Sequence, residues 1–263
     1  MPVARSVDGT PITFDRAGAG PALILVSGAL RDRSAARGLA AALAPDFTVY
    51  NYDRRGRGDS GDTAPYAVGK EIGDLAAMLA EAGGSALVYG HSSGGALALE
   101  AAARGLPITA LAVYEPPYVL TAGQSARRVE LAAAVGELID AGRHDDAVER
   151  FLQVALGMSA AVTRLLRESR MWAPMQRLAA TLRYDFAVLD GAAIPAGRLA
   201  RITIPVLFLD GTASPAWARE PVRAAAAAIP GAQHRSLDRQ DHSVTGAVLA
   251  PLLARFFSAG TTA

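Results

Sequence analysis

The fold is decided by the ten residues ALVYGHSSGG at positions 86–95. The apolar run 86–89 is typical of a strand buried on both faces of a sheet. The turn after it matches the pattern G-x-S-x-G, with Ser92 at its centre, and an alanine-rich helical segment begins at Ala96. Glycines on both sides of the serine leave room for a sharp, strained bend. The stretch therefore predicts a strand, a tight turn that presents Ser92, and a helix.

Strand and helix patterns alternate on both sides of this turn. Strands are predicted at 12–15, 22–26, 47–52, 86–89 and 109–114, with helices at 34–43, 69–82 and 96–104 between them. After residue 121 only helical segments follow, at 126–141, 145–156, 160–169 and 175–182. Strands return at 204–210 and 233–237, with helices at 220–228 and 244–257.

This order of elements predicts the fold class. Strands that alternate with helices form a mostly parallel sheet with helices on both of its faces. We therefore predict an α/β core made of residues 1–119 and 196–263. Residues 120–195 are predicted to form a helical insertion between two strands of that core.

Composition and charge indicate which classes of protein the chain can belong to. The chain has 263 residues, of which 51% are hydrophobic and 19% charged, and a formal net charge of +1. Such a chain can bury a large core, and its charge gives no general attraction to nucleic acid or to an anionic membrane. No secretory signal and no membrane-spanning stretch is recognised, so we expect a cytoplasmic protein. A monomer and a homodimer both stay open.

Motifs for cofactors and metals are not found in the sequence. The absence of cysteine excludes disulfides, a thiolate metal site and a cysteine nucleophile. No metal-ligand spacing and no phosphate-binding G-x-G-x-x-G pattern is present, so we expect no cofactor. The arginine-rich segment 54–60 lies close to Asp53, Asp59 and Asp62 and lacks interleaved aromatic residues. It predicts a loop held by arginine–carboxylate pairs rather than a nucleic-acid surface.

A serine needs a base to become a nucleophile at neutral pH. The four histidines are His91 in the turn itself, His144 at a predicted helix start, His234 in a predicted strand and His242 in the loop after the last predicted strand. In a parallel sheet that last loop lies at the same carboxyl edge as the turn that carries Ser92. We therefore predict His242 as the base.

Two backbone N–H groups are candidates for stabilising a negatively charged oxygen near Ser92. Ser93 lies where the turn leads into the helix, and N–H groups at a helix start are not used by the helix itself. Ala29 follows the small turn Ser27-Gly28 at the end of the strand 22–26. Both are predicted to line an oxyanion hole.

These segments resemble the α/β-hydrolase superfamily. Residues 52–60 resemble the loop after its second parallel strand, 90–94 its nucleophile elbow, 204–211 the strand that leads to its usual acid, and Asp241-His242 its base loop. The resemblance covers the chain except the helical insertion, which corresponds to the variable cap or lid. It implies the α/β-hydrolase fold with Ser92 as nucleophile. Epoxide hydrolases and haloalkane dehalogenases of this superfamily use an aspartate there, so Ser92 argues against both reactions.

The acid of the triad is where the chain departs from the family pattern. The family places an aspartate three residues after a glycine that corresponds to Gly211, and Ser214 stands there instead. Glu115, which follows the strand 109–114, is the favoured replacement, and Asp210 at the end of the next strand is the second. Asp238 and Asp241 are more distant candidates. A dyad of Ser92 and His242 without an acid is the remaining alternative.

The prediction is a carboxylesterase or lactonase that acts on a small hydrophobic molecule through an acyl-enzyme. The insertion is expected to supply the apolar wall of the pocket, from Met158, Met171, Trp172, Met175, Tyr184 and Phe186. Two alternatives stay open. One is an acyltransferase or a cofactor-free enzyme that does not hydrolyse, and the other is a non-catalytic ligand-binding member.

Overall fold

A computed structural model describes residues 1–259 and shows a central sheet of eight strands. The strands are β1 (Val3–Arg5), β2 (Pro11–Ala17), β3 (Ala22–Val26), β4 (Thr48–Tyr52), β5 (Ala86–His91), β6 (Ile108–Tyr114), β7 (Val206–Gly211) and β8 (Gln233–Leu237). Their order in the sheet is β1-β2-β4-β3-β5-β6-β7-β8. The pairs β1–β2 and β2–β4 are antiparallel, and the strands from β4 to β8 are parallel. The predicted mostly parallel sheet is confirmed.

Helices cover both faces of the sheet. Those of the core are α1 (Arg37–Leu43), α2 (Val68–Glu81) and α3 (Ser93–Ala103). Between β6 and β7 lie α4 (Ala122–Asp140), α5 (His144–Ala155), α6 (Ala160–Arg167), α7 (Trp172–Arg177), α8 (Leu182–Leu189) and α9 (Ala196–Leu199). The chain returns to the core with α10 (Ala216–Ala227) and α11 (Gly246–Ala259). No helix among residues 1–259 has the length and apolar character needed to cross a membrane.

The alternation of side chains along the central strands creates two apolar layers. Leu23 and Leu25 of β3 pack on one face, in a cluster that includes residues of α1 and α11. Ile24 and Val26 pack on the other face, in a cluster with residues of α2, α3 and α10. A strand covered on both faces reads as a continuous apolar run, which is why the run 22–26 predicts β3 with the bounds that the structure shows.

The helices between β6 and β7 have an apolar cluster of their own. It includes Leu131, Leu152, Trp172 and Leu182, and Leu30 from the loop after β3 packs in the same cluster. The insertion therefore lies against the loop that contains the predicted donor Ala29. The division into a core and a cap at residues 120–195 stays a prediction.

Three local differences from the sequence prediction have simple causes. Strand β1 was not predicted, because it has three residues of which only one is buried, too few to show a period. The helix predicted at 175–182 is divided into α7, a 3-10 turn at 179–181 and α8. The helix predicted from residue 96 begins at Ser93, because the turn itself leads directly into the first helical turn.

The arginine-rich loop after β4 is buried and paired. Arg54 binds Glu71 on α2 at 2.6 Å and Asp185 on α8 at 2.8 Å, and Arg55 binds Asp74 at 2.6 Å. Burial by itself would lower the pKa of Arg54, but the two carboxylates raise it well above its ordinary value. The predicted arginine–carboxylate pairs are confirmed, and one of them joins the core to the insertion.

Candidate active site

The turn between β5 and α3 holds Ser92 in a strained conformation. Its backbone has φ 55° and ψ −125°, a region that residues other than glycine rarely adopt. A Cβ atom at Gly94 would lie 2.3 Å from the carbonyl oxygen of Val26, and one at Gly90 would lie 2.6 Å from the Cα atom of Gly95. Both glycines of the G-x-S-x-G pattern are therefore required by contacts with the backbone. The N–H group of Ser92 donates to the carbonyl of Tyr114 at 2.8 Å, which ties the turn to the end of β6.

His242 is paired with Glu115. The Nδ1 atom of His242 lies 2.7 Å from Oε2 of Glu115, while the other carboxylate oxygen accepts a hydrogen bond from the backbone N–H of Gly211 at 2.9 Å. Glu115 is buried, with 2% of its surface exposed, and has a positive φ of 43°. Of the two carboxylates that the sequence left open, the structure brings Glu115 to His242.

The loop that carries His242 is anchored to the ends of β6 and β7. The Tyr114 hydroxyl donates to the carbonyl of Asp241 at 2.6 Å. A Cβ atom at Gly211 would lie 2.0 Å from the carbonyl oxygen of Gln240, so this close approach requires glycine. The imidazole is therefore held in two ways. Its Nδ1 is paired with Glu115, and the carbonyl of the preceding residue, Asp241, is bound by the Tyr114 hydroxyl.

Asp210 does not contact His242. It is fully buried, and its Oδ2 lies 2.6 Å from Nε2 of His234, while its Oδ1 is 3.5 Å from the guanidinium of Arg219. The register pairs Asp210 with Ser236 of β8, and alternation along β8 puts His234 on the same face as Ser236. This direction takes the carboxylate away from the loop of His242.

The other acidic candidates also form different contacts. Asp238 interacts with Arg239 and with the Thr212 hydroxyl. Asp241 accepts the backbone N–H of Ser243. Ser214, which stands at the usual position of the acid, is buried, and its hydroxyl has no hydrogen-bond partner among the described residues.

Ser92 and His242 lie at the same edge of the sheet but do not form a hydrogen bond with each other in the described part of the chain. The ring of His91, next to Ser92, has its centroid 5.0 Å from that of His242. Within residues 1–259, neither Oγ of Ser92 nor Nε2 of His242 has any other hydrogen bond. Neither atom is therefore engaged by another group in that part of the chain.

His91 is packed rather than available as a base. Its ring stacks on Tyr114, with centroids 5.5 Å apart and planes within 5°. Burial, together with the nearby His242 and Arg31, lowers the pKa of His91 well below its ordinary value, so the ring is neutral at physiological pH.

The two predicted oxyanion donors share one buried support. The backbone N–H groups of Ser93 and Ala29 make no hydrogen bond within residues 1–259. Arg57 donates to the carbonyl oxygen of Gly28 at 2.6 Å and to Asp185 at 2.9 Å, and the Ser93 hydroxyl donates to the same carboxylate oxygen at 2.7 Å. Because a trans peptide directs its C=O and N–H to opposite sides, the contact with Arg57 turns the N–H of Ala29 away from the arginine.

Asp185, which supports these contacts, is a buried carboxylate of the insertion. Burial by itself would raise the pKa of Asp185, but Arg57 and Arg54 hold it below its ordinary value. The carboxylate is therefore ionised, and it joins helix α8 of the insertion to the turn of Ser92 and to the loop of Gly28. The sequence analysis missed this role, because nothing near position 185 marks a partner that lies more than a hundred residues away.

Two cavities meet at His242 and Ser243. The larger, about 500 Å³, is lined mainly by Ala29, Leu30 and apolar side chains of the insertion, and we call it the methionine cavity. The smaller, about 270 Å³, reaches Glu115, Tyr118, Arg128 and Trp217, and we call it the Arg128 cavity. Leu156 and Met158 contribute to both.

Three of the six predicted pocket residues line the methionine cavity, namely Met158, Met171 and Met175. Trp172 lies in the core of the insertion, and its indole N–H donates to Asp145. Tyr184 stacks on Tyr66, and Phe186 lines a separate cavity beside α4. Within residues 1–259 no group of three or more histidine and acidic side chains is arranged to hold a metal ion.

Comparison with known proteins gives consistent results. A sequence model of the alpha/beta hydrolase family matches residues 23–251. The crystal structure of an alpha/beta hydrolase from Sphaerobacter thermophilus is 46% identical, with a TM-score of 0.89, and the match covers 97% of this chain and 100% of that one. A comparison with curated proteins found no match.

Two more distant structures share the fold. An enol-lactonase from Burkholderia xenovorans is 23% identical, with a TM-score of 0.69, over 100% of both chains. An esterase from a Rhodococcus species is 20% identical, with the same TM-score, over 99% of this chain and 98% of that one.

Proposed function

The chain belongs to the alpha/beta hydrolase family, and from this premise we propose that it is a serine hydrolase that cleaves a carboxylic ester or lactone through an acyl-enzyme. One observation carries the proposal. The imidazole of His242 is paired with the buried carboxylate of Glu115 at 2.7 Å, at the edge of the sheet where a strained turn carries Ser92. An esterase and an enol-lactonase among the structural neighbours are compatible with this reaction class.

In the proposed reaction His242 accepts the proton of the Ser92 hydroxyl through Nε2 while Oγ attacks the carbonyl carbon. The tetrahedral intermediate collapses, the ester C–O bond breaks, and the leaving oxygen takes the proton from His242. Water then attacks the acyl-enzyme with His242 again as base, which releases the acid and restores the serine. Glu115 keeps the proton of the neutral ring on Nδ1 and stabilises the imidazolium that forms.

The atoms that must exchange the proton are unoccupied by other partners. Oγ of Ser92 and Nε2 of His242 make no competing hydrogen bond within residues 1–259, which supports a direct contact in the reacting complex. Catalytic hydrogen bonds often tighten only when a substrate is bound.

The oxyanion hole is proposed to consist of the backbone N–H groups of Ala29 and Ser93. Arg57 holds the peptide that carries the N–H of Ala29, and Asp185 holds the side chain of Ser93 and binds Arg57. The hole is therefore preorganised before the substrate binds. Donors fixed in this way stabilise developing charge without a reorganisation cost during the reaction.

The insertion, residues 120–195, is proposed to act as a cap that forms the substrate pocket. The methionine cavity offers apolar, adaptable side chains next to His242, which suits the hydrophobic part of a small substrate. This arrangement supports a small-molecule substrate with a hydrophobic acyl or alcohol group.

Labelling with a serine-reactive fluorophosphonate, followed by assay with a para-nitrophenyl ester, tests the proposal. Ser92→Ala should lose the label and lower kcat by at least about 10⁴-fold. Ser243→Ala is the matched control, because Ser243 lines both cavities and should keep the label. Equal labelling of wild type and Ser92→Ala would reject Ser92 as the nucleophile.

Two alternative functions within the family lead to different expectations. A non-catalytic binding protein is expected to have no carboxylate at His242, and the contact with Glu115 counts against it. Acyl transfer shares the acyl-enzyme with hydrolysis, so product analysis with and without an added alcohol distinguishes the two reactions.

A further inference from the structure

Two arginines differ from the paired, buried arginines of the loop after β4. Carboxylates raise the pKa values of Arg54 and Arg55, whereas burial lowers those of Arg31 and Arg128. Neither Arg31 nor Arg128 forms an ion pair within the described residues. Each lines one of the cavities that meet at His242. Two cations without a carboxylate partner are therefore found beside His242.

Arg128 is the more enclosed of the two. It lies on α4, is half-buried, and within residues 1–259 makes a single hydrogen bond, from Nη2 to the carbonyl oxygen of Ala155 at 3.2 Å. A guanidinium has five N–H donors and is charged at any physiological pH. Burying such a group without an opposite charge is costly, so a charged partner supplied by a ligand would offset that cost.

The two protein carboxylates in the wall around Arg128, Glu115 and Asp241, form no ion pair with it. Glu115 is held by His242 and Gly211, and Asp241 accepts the N–H of Ser243. The rest of the wall is mostly apolar, with Tyr118, Met158 and Trp217 among its members.

We propose that Arg128 binds a carboxylate of the substrate, so that the preferred substrate is an ester or lactone that also carries an acidic group. The acidic end occupies the Arg128 cavity, and the hydrophobic part occupies the methionine cavity on the other side of His242. The inference rests on the proposed ester hydrolysis and specifies its substrate class. A planar guanidinium matches a carboxylate with two parallel hydrogen bonds, which a neutral group of the same size cannot form.

A pair of matched substrates tests the inference. The para-nitrophenyl monoester of glutaric acid and para-nitrophenyl pentanoate have acyl chains of equal length, and only the first ends in a carboxylate. Wild type should show a kcat/KM at least about tenfold higher for the acidic ester. Arg128→Gln should lower the ratio of the two values by at least about tenfold. Arg127→Gln, on the same helix but outside the Arg128 cavity, should leave the ratio unchanged.

Several results would overturn the inference. They are a wild-type preference for the neutral ester, an unchanged ratio in Arg128→Gln, and a ratio that falls in Arg31→Gln instead. If Arg128→Gln does not fold, Arg128→Lys keeps a charge, loses the two-bond geometry and should give an intermediate ratio.

Binding measurements separate this inference from the proposed reaction. Calorimetry with Ser92→Ala compares monomethyl glutarate with methyl pentanoate, of which only the first carries a carboxylate, and monomethyl glutarate should bind at least about tenfold more tightly. If neither para-nitrophenyl ester is hydrolysed, the proposed reaction fails, whereas tighter binding of monomethyl glutarate that requires Arg128 still supports the anion site. Equal binding of the two methyl esters would reject the anion site whatever the activity.

Discussion

Two carboxylate–imidazole pairs lie at the ends of neighbouring strands, and their difference shows what makes such a pair a candidate site. Glu115 and His242 are 2.7 Å apart, and Asp210 and His234 are 2.6 Å apart. Both carboxylates are buried. The His242 ring lies on a loop beyond the sheet, with a free Nε2 and two cavities beside it. The His234 ring lies within β8 and uses its Nε2 for the carboxylate itself.

The carboxylates also differ in how they are held. Both oxygens of Glu115 have a partner, His242 for one and the N–H of Gly211 for the other. One oxygen of Asp210 has no hydrogen bond, and the guanidinium of Arg219 is 3.5 Å from it. A contact distance alone therefore does not identify a catalytic pair. What distinguishes the two pairs is the place of the imidazole, beside two cavities for His242 and within a strand for His234.

Among variants of the two pairs, Glu115→Gln should lower activity most. The amide can donate to Nδ1 of His242 and favour the wrong tautomer, so kcat should fall by about 10²–10⁴-fold. Steady-state kinetics with an activated ester measure it, with thermal unfolding as the check that the variant is folded. Activity within about threefold of wild type would show that Glu115 does not support the base.

A variant of Arg57, which contacts the peptide of Ala29 in the proposed oxyanion hole, is expected to have the next largest effect on kcat. Arg57→Lys cannot bind the Gly28 carbonyl and Asp185 together, so the N–H of Ala29 loses its fixed direction. We expect kcat to fall by about 10–100-fold with a smaller change in KM, because the donor acts mainly on the transition state. A change confined to KM would contradict this interpretation.

Asp210→Asn provides the matched contrast to Glu115→Gln. We expect kcat within about twofold of wild type, because Asp210 has no contact with His242. The free energy of unfolding should fall by about 1–3 kcal/mol, since a neutral amide replaces the buried carboxylate in the hydrogen bond to His234. Urea unfolding measures it, and a loss of activity comparable to that of Glu115→Gln would remove the distinction between the two pairs.

The smallest effect expected is on the pH dependence of the free energy of unfolding. It comes from His91, whose imidazole lies near the site and has no carboxylate partner within residues 1–259. Its pKa in the folded state lies well below the ordinary value of 6.5, so the unfolded chain binds a proton that the folded one excludes. The stability contributed by the neutral ring is complete above pH 6.5 and decreases as the pH falls below it, by up to about 1.4 kcal/mol per pH unit.

His91→Phe should reduce this acid sensitivity, and unfolding curves between pH 7 and pH 5 measure the change. Phenylalanine keeps a ring that can stack on Tyr114, so packing is largely preserved. An identical pH dependence in wild type and variant would show that His91 is not the group responsible.

Features that depend on short-range geometry can be predicted from the amino-acid sequence alone. The apolar run at 86–89, the glycines around Ser92 and the helix that follows predict the strained turn, because steric contacts within a few residues require it. The clustering of arginines and aspartates at 53–62 likewise predicts the ion pairs of that loop, although their partners Glu71 and Asp185 were not identified. The place of His242 follows from the topology of a parallel sheet.

The contacts between side chains of distant segments cannot be predicted in this way. Glu115 and Asp210 end neighbouring strands, and the positive φ of one and the register of the other direct them to different histidines. Neither property has a sequence period that a pattern could detect. The same holds for Arg128, whose lack of a carboxylate partner depends on every segment packed around it. Long-range contacts of this kind are set by the packing of the whole chain, which no local pattern contains.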